Sequence, residues 1–190
     1  MTLFLNALKF SAEKHRGRCR KDEQVTPYIN HPIEVVNILW NVGEVNDAIT
    51  LIGALLHDTL EDTDTTPEEI RINFGEEVLA LVQEVTDDKS LPKAERKLRQ
   101  VKNASHLSFR AKQLKLADKI CNVNDIINSP PANWPWQRKI DYLNWANNVV
   151  VRLRGTNIKL EKHFEEILFF AEKKLGHEKP LAPGDKDGAQ

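Results

Sequence analysis

The 190-residue sequence has little cysteine, no excess of charge of either sign and no long apolar run. Its two cysteines, Cys19 and Cys121, lack the CxxC spacing of a redox or zinc motif and cannot form a disulfide framework. Such cysteine usage fits a reducing cytosol. No apolar stretch approaches the roughly 18 residues that a membrane span needs. The N-terminus is too short in apolar residues for a signal peptide, so we expect a soluble, cytoplasmic protein.

The charge balance excludes a second set of functions. The 27 lysines and arginines oppose 28 acidic residues, which gives a formal net charge of -1. A nearly neutral chain has no bulk attraction to nucleic acid or to a membrane surface, although it can still contain a local basic pocket. With 41% hydrophobic and 29% charged residues, the composition predicts one soluble globular domain. The oligomeric state is left open.

The sequence also lacks the alternation of apolar and polar residues that marks β-strands. Apolar residues recur at helical spacing instead, and the clearest helix start is a capping box with Thr66 as N-cap, Pro67 at the first helical position and Glu69 at the third. The other predicted segments are Leu3–Lys14, Pro32–Trp40, a helix capped by Asn46 that runs to about Asp62, Glu76–Thr86, a charged stretch Pro92–Lys102, Phe109–Ile127, Pro135–Arg154, and a helix capped by Thr156 that runs to about Leu175. This pattern predicts an all-α single domain, a bundle of roughly eight to ten helices over residues 1–175, followed by a disordered tail over residues 176–190.

Function is indicated most strongly by residues 56–62, which read Leu-His-Asp-Thr-Leu-Glu-Asp after an apolar helix. The pair His57 and Asp58 is followed one turn later by Glu61 and Asp62, and positions i and i+4 share a helix face. Three carboxylates and an imidazole in one place repel one another or are costly to bury unless a cation lies between them. A satisfied buried pair is the alternative, but a metal site with acid and base groups beside it is the simpler explanation.

Two further segments can complete such a site. His31 lies at the junction of a loop and a helix, and Asp118 lies one turn before Asn122 on an otherwise apolar helix. Taken alone, His31 fits an ordinary surface histidine. Asp118 alone fits an acid at the edge of the core, paired with Lys119 or Lys115. The three signals therefore have to be weighed together.

Together, His31, the His57-Asp58 pair and Asp118 resemble the spaced H…HD…D signature of the HD-domain phosphohydrolases. The chain resembles more closely the hydrolase domain of the RelA/SpoT family, and most closely its stand-alone small alarmone hydrolases of the metazoan SpoT-homologue type. The stretches that carry this resemblance are residues 26–33, 54–63, 84–89, 91–97, 115–119 and 155–157. They cover about residues 5–170 in order, which is far more specific than the HD dipeptide.

The resemblance implies that His31, His57, Asp58 and Asp118 are the ligands of an Mn²⁺ ion. The donor chemistry agrees, because two imidazoles and two carboxylates suit Mn²⁺ or Fe²⁺, although affinity order alone favours other ions. Four donors would close a tetrahedral zinc site, whereas an octahedral ion keeps two positions open for a water and a phosphate oxygen. A cation of this kind can promote hydrolysis without a covalent intermediate.

The same resemblance gives roles to other residues. Glu61 and Asp62 would orient and deprotonate the attacking water, whereas without the His-Asp pair they would fit a solvated helix end. The basic run of residues 14–21 alone fits a solvated helix end or a nuclear-localisation-like patch. By the resemblance, Arg20 and Lys21 of this run flank the purine. The other expected substrate-binding residues are Lys93, Asn122, Arg138 and Tyr142.

The family reaction is removal of the 3′-pyrophosphate from guanosine tetra- or pentaphosphate, which leaves GDP or GTP. We predict this activity, and we expect a hydrolase only, because the chain has no room for the synthetase and regulatory domains of long bifunctional members. One alternative keeps the site but removes the 2′-phosphate of NADPH or acts on a related nucleotide. Another is a non-catalytic nucleotide sensor, which would need a damaged metal site, yet all four ligand positions are intact. A distinctive loop over residues 130–136 is expected near the pocket mouth.

Overall fold

The computed structural model describes residues 1–179; residues 180–190, most of the predicted tail, lie outside the described residues. Within residues 1–179 the chain forms ten α-helices, and its strand-like pairings are two isolated bridges. The helices are α1 (Thr2–Lys14), α2 (Asn30–Asn37), α3 (Ala48–Leu56), α4 (Thr59–Asp62), α5 (Pro67–Phe74), α6 (Glu76–Val85), α7 (Lys93–Asn103), α8 (Phe109–Asn128), α9 (Trp136–Val151) and α10 (Ile158–His177). A π-helical turn (Ile38–Val42) extends α2, and a 3₁₀ turn (Ala104–His106) follows α7. The predicted all-α class is confirmed.

Helix α8 forms the centre of the apolar core. It packs against α2, α3, α6, α9 and α10, and its residues Leu114, Leu116, Ile120 and Val123 are fully buried. Burial of each such side chain stabilises the fold by about 1.5–3 kcal/mol. A second apolar cluster lies where α1, α3, α5 and α6 meet. Ionised residues buried on α8 must therefore find partners within the protein.

The capping signals are correct in one case and displaced by one residue in another. The Thr66 hydroxyl accepts a hydrogen bond from the Glu69 amide at 3.2 Å, and the Glu69 carboxylate accepts one from the Thr66 amide at 2.8 Å, as the capping box predicts. Helix α3, however, is capped by Asp47 and not by Asn46. The Asp47 carboxylate accepts from the Thr50 amide at 3.0 Å. It also receives the Thr50 hydroxyl at 2.6 Å, a contact that favours this position as the cap.

The predicted helix from residue 46 to Asp62 is wrong in one respect, because it is interrupted at His57 and Asp58. Helix α3 ends at Leu56, whose carbonyl oxygen accepts a hydrogen bond from the Thr59 hydroxyl at 2.6 Å. The short helix α4 then begins, and the Asp62 amide still donates to the Asp58 carbonyl at 2.8 Å. A side chain that competes for a helix carbonyl is a known local cause of such a break. His57 and Asp58 thus lie in a turn at the end of a buried helix.

Other helix ends differ by a few residues from the sequence prediction. Helix α2 begins at Asn30, so Pro32 lies in its first turn. Proline is tolerated there because backbone amides of the first turn have no hydrogen-bond acceptor within the helix. Helix α9 begins at Trp136 and ends at Val151, before the predicted Arg154. Helix α10 continues through His177, so the first two residues of the predicted tail are helical. Among residues 1–179, no helix is both long and apolar enough to cross a membrane.

Asn157, not Thr156, caps α10. Its side-chain oxygen accepts from the Leu160 amide at 3.3 Å, while its amide group donates to the Gly43 carbonyl at 2.9 Å and to Gln113 at 3.2 Å. The Thr156 hydroxyl instead donates a hydrogen bond to the Leu153 carbonyl, after the end of α9. One asparagine therefore connects α10 to the loop after the π-helical turn and to α8.

Replacing Asn157 with alanine is expected to lower the free energy of unfolding by about 2 kcal/mol, since it removes a helix cap and two further hydrogen bonds. Urea unfolding would measure the loss. Asn157→Asp is the matched control, because it keeps the capping oxygen and loses only the donated bonds, so its loss should be smaller. Equal losses in both variants would contradict the capping role.

The loop of residues 15–29, between α1 and α2, is held in a hairpin-like shape. The Arg20 amide donates to the Thr26 carbonyl at 2.8 Å, and the Ala132 amide donates to the Lys21 carbonyl at 3.0 Å. The second bond joins this loop to the loop that precedes α9. Arg20 and Lys21 are thereby fixed on the same side of the molecule as α8 and α9.

Candidate active site

The four predicted metal ligands converge from α2, the turn between α3 and α4, and α8. His31 Nε2 lies 3.2 Å from Asp118 Oδ1 and 3.8 Å from Asp58 Oδ2. His57 Nε2 lies 3.2 Å from Asp58 Oδ2 and 3.9 Å from Asp118 Oδ1. Residues far apart in the sequence thus come together: one ligand atom from each of His31, His57 and Asp118 lies within 4.8 Å of the other two, and Asp58 Oδ2 lies beside both imidazoles.

The orientation of His57 suits a metal ligand. Its Nδ1 lies 2.8 Å from the Ala54 carbonyl oxygen, and because a carbonyl can only accept, Nδ1 carries the proton. In the neutral ring Nε2 then has a free lone pair, and this buried atom has no hydrogen-bond partner among residues 1–179. Buried polar atoms are rarely left unpartnered, and a metal-binding imidazole typically donates its other N–H to a carbonyl. The donor set therefore fits a divalent cation.

Asp118 is held by two donors on its own helix. The Lys119 ammonium lies 2.7 Å from Oδ2, and the Asn122 amide donates to Oδ1 at 2.6 Å. Burial favours a raised pKa for Asp118, but the neighbouring Lys119 ammonium outweighs it and holds the pKa well below its ordinary value. The pairing with Lys119 that the sequence allowed is therefore present within the ligand cluster. Lys115 instead donates to the Val85 carbonyl at 2.7 Å.

Tyr28, which the sequence did not single out, contacts two of the acidic residues. Its hydroxyl donates to Asp58 Oδ2 at 2.6 Å and lies 3.3 Å from Asp62 Oδ2. Burial and the neighbouring Asp58 carboxylate raise the pKa of Tyr28, so the hydroxyl keeps its proton. The only sequence signal was its place in the stretch of residues 26–33.

Glu61 and Asp62 lie in different surroundings. Glu61 Oε1 accepts from Arg96 at 3.3 Å and Oε2 from the Asp87 amide at 3.2 Å, so its contacts are not with His57, as stacking on one helix would have required. Burial raises the pKa of Glu61. Asp62 pairs with Lys89 and lines the cavity beside His31. Because the helix breaks before α4, only Asp62 remains linked to Asp58, through the tyrosine hydroxyl.

A cavity of about 630 Å³ opens beside the ligand cluster. Cavities of this size hold small molecules such as nucleotides. Its lining includes four of the six predicted substrate-binding residues, Arg20, Lys21, Asn122 and Tyr142. The other two lie beside Trp134, which also lines the cavity: the Lys93 ammonium is 6.0 Å and the Arg138 guanidinium 4.4 Å from a Trp134 ring. The loop of residues 130–136 thus reaches the cavity through Pro131 and Trp134.

Arg20 is held at the cavity wall by three groups. Its guanidinium donates to Asn122 Oδ1 at 3.0 Å, forms an ion pair with Asp125, and lies 5.6 Å from the centroid of the Tyr28 ring. These contacts fix a flat cationic group on the wall. They connect it to the helix that carries Asp118.

The cations near Trp134 form a cluster without acidic partners. In the described part of the chain, Lys21, Lys93, Lys97 and Arg138 form no ion pair with a carboxylate. Burial and the neighbouring Arg138 and Lys21 lower the pKa of Lys93. Lys97 belongs to the charged helix α7, where surface charges are usually only solvated, but its ammonium lies 5.3 Å from the Tyr142 ring and 4.6 Å from a Trp145 ring. Such a cluster lowers its electrostatic energy by binding an anion.

A comparison with known families gives the class of the protein. Residues 7–141 match the family model described as HD domain, which is more than half of the chain. The chain therefore belongs to the HD-domain family. The family predicted from the spaced histidines and aspartates is confirmed.

Individual relatives narrow this class. The guanosine-3′,5′-bis(diphosphate) 3′-pyrophosphohydrolase MESH1 of Danio rerio is 50% identical over 165 residues, which cover 87% of this chain and 92% of that protein. The Homo sapiens protein of the same name is 50% identical over 163 residues, with coverage of 86% and 91%. A solved structure described as "A metazoan ortholog of SpoT hydrolyzes ppGpp and plays a role in starvation responses" matches with a TM-score of 0.87 and 46% identity, covering 92% of this chain and 97% of that one.

Proposed function

We propose that the chain is a manganese-dependent guanosine-3′,5′-bis(diphosphate) 3′-pyrophosphohydrolase that releases pyrophosphate and leaves GDP or GTP. The observation that carries this proposal is the juxtaposition of two features: four candidate metal donors lie close together beside a cavity that His31 lines, and Lys93 and Arg138, which form no ion pair among residues 1–179, lie next to Trp134 on the wall of that cavity. A nucleotide with a second diphosphate matches both. The names of the relatives that match nearly the whole chain support the same substrate.

The residues that would hold the cation are His31, His57, Asp58 and Asp118. When bound, a divalent cation supplies polarisation of water and of a phosphoryl oxygen. Two imidazoles and two carboxylates form a mixed donor set that suits Mn²⁺. Lys119 and Asn122 keep Asp118 charged and oriented, and the Ala54 carbonyl directs His57 Nε2 towards the other donors.

The protein residues then orient the water and receive its proton. Asp62, on the cavity wall, accepts a hydrogen bond from the attacking water, and Glu61, fixed by Arg96 and the Asp87 amide, assists in removing the proton. The water oxygen bonds to the phosphorus attached to the ribose 3′ oxygen. The bond between that phosphorus and the 3′ oxygen breaks, the 3′ oxygen is protonated, and pyrophosphate leaves.

Substrate binding is divided between two walls of the cavity. Lys93 and Arg138 bind phosphate oxygens, and Tyr142, whose pKa burial raises to about 12, donates its hydroxyl to one of them. Lys21 lies with Arg20 beside the purine. Arg20 and Asn122 lie towards the nucleoside on the other wall. In this proposal the reacting phosphorus lies between the basic side chains beside Trp134 and the four proposed metal ligands.

The test is a product assay on the purified protein loaded with Mn²⁺, with guanosine tetraphosphate as substrate and ³¹P NMR as the readout. The expected products are GDP and pyrophosphate in equal amounts, and chelation of the metal should stop their formation. Release of single phosphates from this substrate would contradict the proposal. NADPH serves as the comparison substrate, because the ratio of kcat/KM values defines specificity and a larger value for NADPH would favour the alternative 2′-phosphatase activity.

Replacing Lys93 with methionine is expected to raise KM for guanosine tetraphosphate about tenfold with little change in kcat, since it removes one charge-assisted phosphate contact. Steady-state kinetics measures both constants. Lys102→Met, an exposed residue on the same helix, is the matched control and should leave KM unchanged. Equal KM values for the Lys93 variant and the wild type would remove Lys93 from the binding site.

A further inference from the structure

Tyr28 lies between Asp58 and Asp62, two acidic residues of the candidate active site. Its hydroxyl has one hydrogen, which it donates to Asp58 at 2.6 Å, and its oxygen lies 3.3 Å from Asp62 Oδ2. Asp58 is a proposed metal ligand and Asp62 is the residue proposed to orient the water. One hydroxyl therefore contacts both carboxylates whose positions decide where the water and the cation lie relative to each other.

The ring of Tyr28 is itself held in place. The His15 ring stacks on it with centroids 4.7 Å apart and an interplanar angle of 24°. His15 is only 3% exposed, and in the described part of the chain neither of its ring nitrogens has a hydrogen-bond partner, so its contact with the tyrosine is through its flat face. The Arg20 guanidinium lies 5.6 Å from the same ring centroid. A ring packed in this way has few alternative orientations.

Arg20 also reaches the ligand cluster by a second route. It donates to Asn122 Oδ1, and Asn122 donates to Asp118 Oδ1 at 2.6 Å. The loop of residues 15–29 thus contacts one metal carboxylate through Tyr28 and another through Asn122. This loop belongs to the support of the metal centre as well as to the cavity wall.

We propose that Tyr28, packed by His15, is a positioning residue that directs Asp58 towards the cation and Asp62 towards the attacking water. The proposal rests on the proposed function and adds a residue to it. Without the hydroxyl, Asp58 loses its hydrogen-bond donor together with the contact that links it to Asp62, and the two carboxylates of like charge can turn apart. Replacing a residue that hydrogen-bonds to a metal ligand and orients it typically lowers metal affinity or activity by about 10–100-fold.

The first test compares Tyr28→Phe with Tyr142→Phe, the same chemical change at the other tyrosine of the chain. For Tyr28→Phe we expect the Mn²⁺ dissociation constant, measured by electron paramagnetic resonance, to rise about tenfold. At saturating Mn²⁺, kcat should still be about tenfold lower, because Asp62 remains misplaced, with KM changed less than about threefold. Tyr142→Phe should raise KM and leave the Mn²⁺ dissociation constant unchanged.

The second test removes the packing and not the hydroxyl, which covers the case in which Tyr28→Phe fails to fold. His15→Ala should weaken Mn²⁺ binding in the same direction, and His15→Phe, which keeps a flat ring, should restore it. Circular dichroism monitors folding in every variant. Unchanged Mn²⁺ affinity in folded Tyr28→Phe, or in His15→Ala, would overturn the proposal. A wild-type protein that binds no Mn²⁺ and releases no pyrophosphate would instead refute the proposed function, so the two failures are distinguishable.

Discussion

Replacing His57 with alanine is expected to lower kcat/KM by about 1,000-fold or more and to prevent stable Mn²⁺ binding. The imidazole is positioned by one hydrogen bond to the Ala54 carbonyl, and its other nitrogen lies 3.2 Å from Asp58 and 3.9 Å from Asp118. Without it, three donors remain around a small buried gap. Loss of the cation removes several kcal/mol of transition-state stabilisation, which corresponds to at least three orders of magnitude.

Two measurements separate this effect from damage to the fold. The metal content of the purified variant should fall, while its circular dichroism should stay that of the wild type, because His57 donates a single hydrogen bond. His106→Ala is the matched control, since His106 is exposed on the 3₁₀ turn after α7 and should retain full activity. A His57→Ala protein that still bound Mn²⁺ with wild-type affinity would contradict the ligand assignment.

Replacing Glu61 with glutamine is expected to lower kcat by about 100- to 10,000-fold, the range typical for loss of a group that transfers a proton. Glutamine has nearly the same shape and can still accept a hydrogen bond from the Asp87 amide, so the local structure should persist. It cannot accept a proton from water. Mn²⁺ affinity should change less than about threefold, because Glu61 contacts Arg96 and the Asp87 amide and not the four donors.

Single-turnover kinetics at saturating Mn²⁺ would measure the chemical step of the Glu61 variant directly. Glu68→Gln is the matched control, because Glu68 is exposed on α5 and, among residues 1–179, forms an ion pair with Arg71 alone. Full activity of Glu61→Gln would mean that the carboxylate merely solvates a helix end. Loss of Mn²⁺ from this variant would instead make Glu61 a metal ligand.

The sequence was informative about the proposed metal donors for a physical reason. An ionised residue on an apolar helix is costly, so Asp118 and the His57-Asp58 pair stood out from their neighbours. Helix periodicity likewise predicted the all-α class, since it depends on local spacing. The break between α3 and α4 was not predicted, because it depends on whether the Thr59 hydroxyl donates its hydrogen bond to the Leu56 carbonyl or to solvent. The spacing of apolar residues is the same whether or not the helix breaks at this point, so it could not predict the break.

Tyr28 and Lys97 show what local patterns leave out. Tyr28 is in a loop, and its contact with Asp58 depends on how the loop of residues 15–29 folds against α3. Lys97 is on a helix without a single buried residue, so its charge resembled those of a solvated surface. Only the aromatic rings of α9, which pack over it, distinguish it from its neighbours. The surroundings of both residues depend on contacts between segments that are distant in the sequence, which local patterns do not contain.

The position of Asp118 in the middle of α8 has a consequence for biosynthesis. Helix α8 is both the centre of the apolar core and the carrier of the last metal donor in the chain, so a nascent polypeptide released only as far as α7 has neither. The earlier donors, His31, His57 and Asp58, cannot by themselves form the complete cluster while the ribosome is still translating α8. The proposed four-ligand cluster can therefore be complete only after α8 has been synthesised.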